Sequence, residues 1–191
     1  IVIREVIVTT RCHNNDAHIA PMGVHERGED LVIAPFKPST TLENLLRENC
    51  ATVNYTDDVR VFAGCLTGRR DWPVRTTDVI DGLRLSDCLA HAELRVKAHE
   101  DDALRPRFIC EVVHETQHAP FHGFNRAQAA VVEAAILVSR LQMLPQDKIE
   151  REIEYLTSAV DKTAGARERE AWEWLIRTIA EHSDREQRQS G

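Results

Sequence analysis

The sequence predicts an α+β protein: a small antiparallel β-barrel with one embedded helix, followed by a C-terminal helical domain. Two observations indicate this division. Up to about residue 122, short apolar runs with strand-like alternation are separated by turn residues. Beyond Pro120–Gly123 the apolar residues recur with a helical period. We therefore expect a barrel domain at 1–122, a domain of about three helices at 123–184 and a frayed tail at 185–191.

Three strands open the chain, over residues 3–10, 18–25 and 31–36. The first strand is rich in β-branched residues, which favour a pleated conformation. Pro21 in the second strand has no N–H to donate, so this strand should be bulged or lie at an edge there. Pro21 and Gly23 would also leave its main chain open to close approach by a ligand.

A helix is expected from Thr40 to about Asn49. Thr40 suits the N-cap position, and Glu43 three residues later would complete a capping box. Asn49 tolerates the left-handed conformation that often ends a helix.

The approach to this helix has the chemistry of an anion site. It carries one cation, one ring that fixes φ and three hydroxyls, on Lys37, Pro38, Ser39, Thr40 and Thr41. The first N–H groups of a helix have no internal acceptor and lie at its positive end, so a phosphate monoester could bind there. The alternative is a well-capped surface helix, because Ser and Thr favour N-caps in any case.

Further strands are predicted at residues 50–54, 59–66, 90–98 and 107–113. The third of these alternates apolar and polar residues, as a half-solvated antiparallel strand does. Six or seven strands with short turns would close into a barrel and so remove their edges.

The helical domain begins with an alanine-rich stripe that runs from Ala127 to Leu141. Pro145 marks the first turn of a second helix, and Gly165 ends it. A third helix carries Trp172 and Trp174, and the tail beyond it has little apolar surface to bury.

Composition limits the function classes. The chain has 191 residues, 42% of them hydrophobic, and a net charge of −7. The acidic balance argues against nucleic-acid binding, and no apolar run approaches the roughly 20 residues of a membrane span. Its five cysteines are odd in number and include no C-x-x-C pair, so we expect reduced thiols in a cytoplasmic protein.

One metal-binding motif occurs, His114-Glu115-Thr116-Gln117-His118. On a helix this H-E-x-x-H spacing would place two imidazoles on one face for zinc, with Glu133 as a possible third ligand. The preceding residues are strand-like, and Pro120 would stop a helix, so we expect no such centre. His122 extends the histidine series and leaves room for an adventitious metal only.

Other polar residues allow two readings each. Arg69 and Arg70 are either a solvated loop pair or part of an anion site, and Trp72 beside them could cover a flat ring. His18 is either a structural histidine or a ligand contact. The nucleophile elbow, the dinucleotide-binding glycine motif and the P-loop are all absent from the sequence.

The order of these features resembles the FMN-binding split-barrel superfamily of flavin reductases and pyridoxamine-phosphate-oxidase-like proteins. Ala20–Gly23 matches the strand segment that lines the isoalloxazine, and Lys37–Thr41 with Asn44 matches the turn that holds the phosphate. Leu89–Leu94 and Phe108–Val112 are similar to the final strand pair. Flavin reductases often carry a histidine before the last strand, where this chain has Arg105.

A closer resemblance is to an uncharacterised split-barrel family, domain of unknown function 447. It is carried by four segments that span nearly the whole chain: His18–Val24, Ala34–Asn44, Val61–Pro73 and Gly123–Ala130. The resemblance implies a split barrel, FMN as the cofactor and a homodimer with the flavin near its interface. Members also occur beside genes of methanopterin-linked one-carbon metabolism.

The resemblance thus implies a flavoprotein, either a flavin-dependent oxidoreductase of unknown substrate or a non-catalytic flavin-binding or assembly protein. A metalloenzyme that uses His114 and His118 is the third alternative. No residue is assigned as a catalytic acid or base. The expected cofactor contacts are His18, Ala20, Pro21, Met22, Gly23, Lys37, Ser39, Thr40, Thr41 and Asn44.

Overall fold

The computed structural model describes the backbone of residues 2–190 and the side chains of 2–186 and 188. The chain divides into two compact units. The barrel unit comprises the residues up to 56 together with 71–121, and the helical unit comprises 57–70 together with the residues from 122 onward. The α+β class expected from the sequence is confirmed.

Among the described residues, the barrel unit contains eight strands and one helix. In chain order they are β1 (Ile3–Arg11), β2 (Ala17–Arg27), β3 (Asp30–Ile33), α1 (Thr40–Glu48), β4 (Cys50–Tyr55), β5 (Val74–Thr76), β6 (Leu83–Leu85), β7 (Ala90–Glu100) and β8 (Arg107–Gln117). Six of these strands close into a barrel in the order β1-β2-β3-β8-β7-β4, and β5 pairs with β6 separately. Every pairing is antiparallel.

The barrel closes around side chains that alternate inward along its strands. Val8, Ile33, Val53, Leu94 and Phe108 are among the fully enclosed members of this core. Helix α1 adds Leu42 and Leu45 to the same cluster, which fixes the helix against the barrel.

Strand β2 is paired on one side over most of its length. It pairs with β1 from Ala17 to His25, whereas β3 reaches only His25, Glu26 and Arg27. Within residues 2–190, the stretch 20–24 therefore has no strand partner on its second edge. An edge of this kind presents main-chain donors and acceptors to whatever lies beside it.

The helical unit contains α2 (Val59–Leu66), α3 (Arg126–Val138), α4 (Gln146–Thr163) and α5 (Ala166–Ser190). Its core joins α2 to α3 and α5 through small side chains such as Ala63, Ala134 and Ala171, each fully buried. Small residues allow the helices to approach closely. No helix in the described part of the chain is both long enough and apolar enough to cross a bilayer.

Two predictions about secondary structure were wrong. Residues 59–66 form α2 rather than a strand, with Asp58 accepting the Arg60 N–H at 3.1 Å at the helix start. Apart from Arg60, these residues are apolar or glycine, and such a run carries no periodicity that separates a buried helix from a buried strand. The tail predicted to fray continues α5 as far as Ser190, and residue 191 lies outside the described residues.

Candidate cofactor site

The start of α1 differs by one residue from the predicted start. Ser39 is the N-cap, and its Oγ accepts the Leu42 N–H at 3.3 Å. The Glu43 N–H bonds the Ser39 carbonyl at 3.1 Å, so Thr40 is already helical. The predicted capping box between Thr40 and Glu43 is therefore not formed.

The helix start still offers donors to an anion. The first two helical N–H groups, of Thr40 and Thr41, have no acceptor within the described residues, as expected at a helix N-terminus. Lys37 is 49% exposed, and its Nζ lies 3.6 Å from Asp101 Oδ1, too far for a strong hydrogen bond. This set of donors, at the positive end of a helix dipole, fits a phosphate.

Two of the residues predicted to contact the cofactor have buried side chains on the packing side of α1. Thr41 and Asn44 are 3% and 2% exposed. The Asn44 amide donates to Thr10 Oγ1 at 3.0 Å, and its oxygen accepts from Arg47 at 3.0 Å. Asn44 therefore ties the helix to β1.

On β2 the predicted segment presents main chain more than side chains. Met22 packs against the barrel core. A Cβ on Gly23 would lie 2.9 Å from Ile3 Cγ2, so the missing side chain makes room for a neighbour on β1. Ala20 and Pro21 are half-buried, and His18 lies opposite Thr10 on β1. The unpaired edge of this strand is thus its accessible feature.

The loop between β7 and β8 supports the segment that leads into α1. Arg105 donates from Nε and Nη2 to the Ala34 carbonyl at 3.2 and 3.0 Å, and its guanidinium lies 4.6 Å from the centre of the Phe36 ring. The Lys37 N–H donates to the Leu104 carbonyl at 2.9 Å. Sequence reasoning noted Arg105 only as the place of a missing histidine, and no spacing signal reveals its contact with residue 34.

A carboxylate orders this loop. Asp102 Oδ1 accepts the N–H groups of Leu104 and Arg105 at 2.8 and 2.7 Å. Hydrogen bonds from Arg105 and Leu104 lower the pKa of the Asp102 carboxyl. Hydrogen bonds within the loop therefore fix the conformation of the segment that positions residues 34–37.

The remaining candidates are distributed between the two units. Arg69 belongs to the helical unit, where its guanidinium lies 4.4 Å from the centre of the Trp174 ring. Arg70 is exposed, and Trp72 belongs to the barrel unit. Glu133 lies on α3, also in the helical unit.

Four of the five H-E-x-x-H residues, from His114 to Gln117, lie on a strand rather than on a helix. Strand β8 ends at Gln117, and His118 follows it directly. The helical zinc geometry is therefore absent. On a strand, however, residues 114 and 118 share one face, because side chains alternate with a period of two.

Comparisons with known proteins agree with this architecture. The family model described as the N-terminal domain of a protein of unknown function (DUF447) matches residues 4–119, and a second DUF447 model matches 125–177. An uncharacterised protein of Methanocaldococcus jannaschii is 26% identical over 190 residues, which cover 93% of this chain and 98% of that protein.

Solved structures share the fold. An FMN-bound protein of Methanosarcina mazei superposes with a TM-score of 0.81 at 22% identity, covering 92% of this chain and 94% of that one. A flavoredoxin of Methanosarcina acetivorans superposes with a TM-score of 0.52 at 13% identity, covering 61% and 69%. The second similarity covers about as much of the chain as the barrel unit.

The two family models together account for both the barrel and the helices that follow it, with a short gap at residues 120–124. The chain therefore belongs to the DUF447 family, whose members are described as proteins of unknown function.

Proposed function

We propose that this chain is an FMN-binding flavoprotein. The observation that carries the proposal is a helix N-terminus with two unpaired N–H groups and a flanking lysine. A barrel strand with an open edge accompanies it. The FMN-bound Methanosarcina mazei protein, similar over 92% of this chain, supports the choice of flavin.

In this proposal the phosphate lies at the start of α1. The N–H groups of Thr40 and Thr41, the exposed Thr40 hydroxyl and the Lys37 ammonium would donate to its oxygens. Ser39 contributes through the cap that sets the direction of these N–H groups. Asn44 acts one step removed, by fixing the helix against β1.

The ring system would lie along the edge of β2 at Ala20–Gly23. Main-chain groups at an unpaired edge suit the donors and acceptors of a flavin pyrimidine, and they need no particular side chain. This accounts for a segment made of small or core-directed residues. His18 is proposed as the side-chain contact at one end of the segment.

We further propose that the protein is a flavin-dependent oxidoreductase. The bound flavin would supply the hydride or electron transfer, and the chain would orient it and exclude competing reactions. The position at which flavin reductases often carry a histidine holds Arg105, which is committed to Ala34. A donor other than a pyridine nucleotide, such as a reduced pterin, is therefore the preferred hypothesis.

A homodimer with the flavin near its interface is part of the proposal. Phe36 and Leu104 are 65% and 71% exposed. They lie close together because the Lys37 N–H bonds the Leu104 carbonyl. An exposed apolar pair beside a cofactor site suits burial against a second copy. Light scattering should give twice the chain mass, and Leu104→Glu should shift the protein toward monomer.

The central experiment compares FMN with riboflavin, which lacks the phosphate. Titration followed by flavin fluorescence should show FMN bound much more tightly than riboflavin. The double variant Lys37→Ala/Thr40→Ala should weaken FMN at least about tenfold, because charge-assisted hydrogen bonds are lost, and should leave riboflavin unchanged. Lys97→Ala is the matched control, since this exposed lysine pairs with Asp30 at 2.9 Å.

The outcomes separate the cofactor from the site. Absence of FMN binding by the wild-type chain would refute the flavoprotein proposal. FMN binding that the double variant leaves unchanged would refute the phosphate site alone.

The second candidate is a non-catalytic flavin-binding or assembly protein. The hydrogen bonds from Arg105 to the Ala34 carbonyl favour this candidate, because the Arg105 side chain then has no role in binding a nicotinamide. Anaerobic mixing of the FMN complex with NADH, NADPH and a reduced pterin distinguishes the two. Loss of the visible flavin absorbance with any of them supports the oxidoreductase, and a flavin that none of them reduces supports the second candidate.

A further inference from the structure

A cluster of ionisable side chains lies outside the proposed flavin contacts. It comprises Asp78, His91, Glu93 and His114, whose ligand atoms, one from each residue, all lie within 4.8 Å of one another. His91 and Glu93 are two residues apart on β7 and so share a face. His114 is directly opposite Glu93 on β8, and Asp78 comes from the turn after β5.

Two distances in this cluster are long for hydrogen bonds. His91 Nε2 lies 3.3 Å from Glu93 Oε1, and His114 Nε2 lies 3.5 Å from Asp78 Oδ2. An N–H···O hydrogen bond is most often about 2.9–3.0 Å long. Two ligands of one tetrahedral zinc ion, each about 2.0–2.1 Å from the metal, are about 3.4 Å apart. Both pairs therefore match edges of such a tetrahedron.

Glu93 is held in place by main-chain hydrogen bonds. Its side chain is fully buried, and its carboxylate accepts the N–H groups of Asp78, Val79 and Ile80 at 2.7, 2.8 and 2.7 Å. Burial by itself raises the pKa of the Glu93 carboxyl, but these N–H groups and His91 together lower it. The same three bonds fold the turn so that Asp78 reaches the cluster.

His91 is oriented from its other nitrogen. His91 Nδ1 lies 2.9 Å from His118 Nε2, with the two ring planes 5° apart. At this distance His118 Nε2 can accept a hydrogen bond from His91 Nδ1–H. A hydrogen bond of this kind fixes the tautomer that leaves Nε2 free for a metal.

The ligand types suit a divalent cation. Two carboxyl groups and two imidazoles form a mixed oxygen and nitrogen ligand set, which suits zinc-class ions. Asp78 and His114, with 63% and 33% of their side chains exposed, form the side from which an ion would enter.

We propose that Asp78, His91, Glu93 and His114 bind one zinc-class divalent cation in tetrahedral geometry. Binding of the ion replaces two hydrogen bonds with coordination bonds. One joins His91 and Glu93, and the other, 2.8 Å long, joins Thr116 Oγ1 and His114 Nε2. It joins β7, β8 and the turn, and so stabilises the barrel unit. This site is independent of the proposed flavin site.

The test uses the full chain, with any affinity tag removed, after dialysis against a chelator. Calorimetric titration with Zn²⁺ should give one ion per chain, and Zn²⁺ should raise the melting temperature. Titration with Co²⁺ should give the intense visible bands of a tetrahedral complex. Asp78→Asn and His114→Asn should each weaken Zn²⁺ at least tenfold, and both positions are exposed enough for the variants to fold.

Matched variants control for other ligands. Asp81→Asn lies in the same turn but pairs with Arg11 at 2.6 Å, and it should bind Zn²⁺ as the wild type does. Cys12→Ser/Cys50→Ser removes the two partly exposed thiols and should also leave Zn²⁺ binding unchanged. His118→Ala should weaken Zn²⁺ binding about tenfold, because His91 then loses the partner that orients its ring.

Three results would overturn the site. They are no saturable Zn²⁺ binding, binding that Asp78→Asn and His114→Asn leave at the wild-type affinity, and binding that disappears in the double serine variant. Octahedral Co²⁺ spectra would contradict the tetrahedral arrangement.

Discussion

Arg105 holds Ala34 in place, with two guanidinium hydrogen bonds to one carbonyl oxygen at 3.2 and 3.0 Å. Ala34 lies just after β3, at the beginning of the segment that carries Lys37 to the start of α1. A substitution at position 105 therefore acts on the proposed phosphate site through the position of this loop.

We predict that Arg105→Ala weakens FMN binding about tenfold, because the loop must then be ordered at the expense of binding energy. Arg105→Lys should restore little, since a lysine cannot form the forked contact. Fluorescence titration with FMN measures both. Arg107→Ala serves as the control, because Arg107 lies on the same hairpin and its Nε is 4.0 Å from Glu100 Oε2. An Arg105→Ala variant with wild-type affinity would refute the loop's role.

The cap of α1 offers a matched pair of substitutions. Ser39→Ala removes the oxygen that accepts the Leu42 N–H and should lower the free energy of unfolding by about 1 kcal/mol. Thr40→Ala should change it by less than about 0.5 kcal/mol, because Thr40 is exposed and already helical. Urea denaturation without FMN measures both. A larger loss for Thr40→Ala would favour the capping box expected from the sequence.

That one-residue shift shows how far sequence reasoning reaches. Ser39, Thr40 and Thr41 are all good caps, so composition located the helix start without selecting the residue. The selection depends on where the chain leaves Phe36, and that is set by contacts with Leu104 and Arg105, about 70 residues away. Local patterns do not contain such contacts.

The barrel was predictable because its strands alternate and its turns are short. Helix α2 was not, because six of the eight residues of Val59–Leu66 are buried and its apolar run fits either structure. Its membership of the helical unit is likewise a matter of tertiary packing, here of Val59 and Ala63 with α3 and α5.

The sequence showed only part of the histidine cluster. It singles out His114 and His118, but as a helical zinc motif with Glu133 as a possible third ligand. On a strand, His91 and Glu93 share one face of β7. The pairing of β7 with β8 then places His114 opposite Glu93. The register that does this depends on a bulge between Glu93 and Leu94, which no residue in the sequence marks.

A buried amide links three segments of the barrel unit. Asn54 is fully buried. Its Nδ2 donates to the Ile7 carbonyl at 3.0 Å and to Thr9 Oγ1 at 3.1 Å. Its Oδ1 accepts the Leu85 N–H at 2.7 Å. We predict that Asn54→Ala lowers the free energy of unfolding by about 3 kcal/mol, because buried partners are left unsatisfied.

Asn54→Asp should cost at least as much, since it replaces the donor with an oxygen facing two acceptors. Urea denaturation measures the free energy of unfolding of both variants. Asn14→Ala is the control, because its hydrogen bonds to Asp16 are exposed and should contribute little. Equal stability of Asn54→Ala and the wild type would contradict the network.

The end of α1 provides a pH-dependent prediction. Glu48 pairs with Arg11 at 2.9 Å and with Arg47 at 2.8 Å. Hydrogen bonds from Arg11 and Arg47 lower the pKa of the Glu48 carboxyl from its ordinary value of 4.5. A lowered pKa stabilises the fold above the ordinary value, and this stabilisation disappears as the pH falls through the lowered one.

Glu48→Gln should therefore melt at a lower temperature than the wild type at pH 7, and the difference should shrink as the pH falls below about 4.5. Added salt should also reduce it, because the pair is partly solvated. Thermal melts of both proteins across this range, without FMN, measure the difference. Glu29→Gln, in the exposed turn between β2 and β3, should show a smaller effect. A difference that stays constant from pH 7 into the acid range would show that Glu48 acts through packing rather than charge.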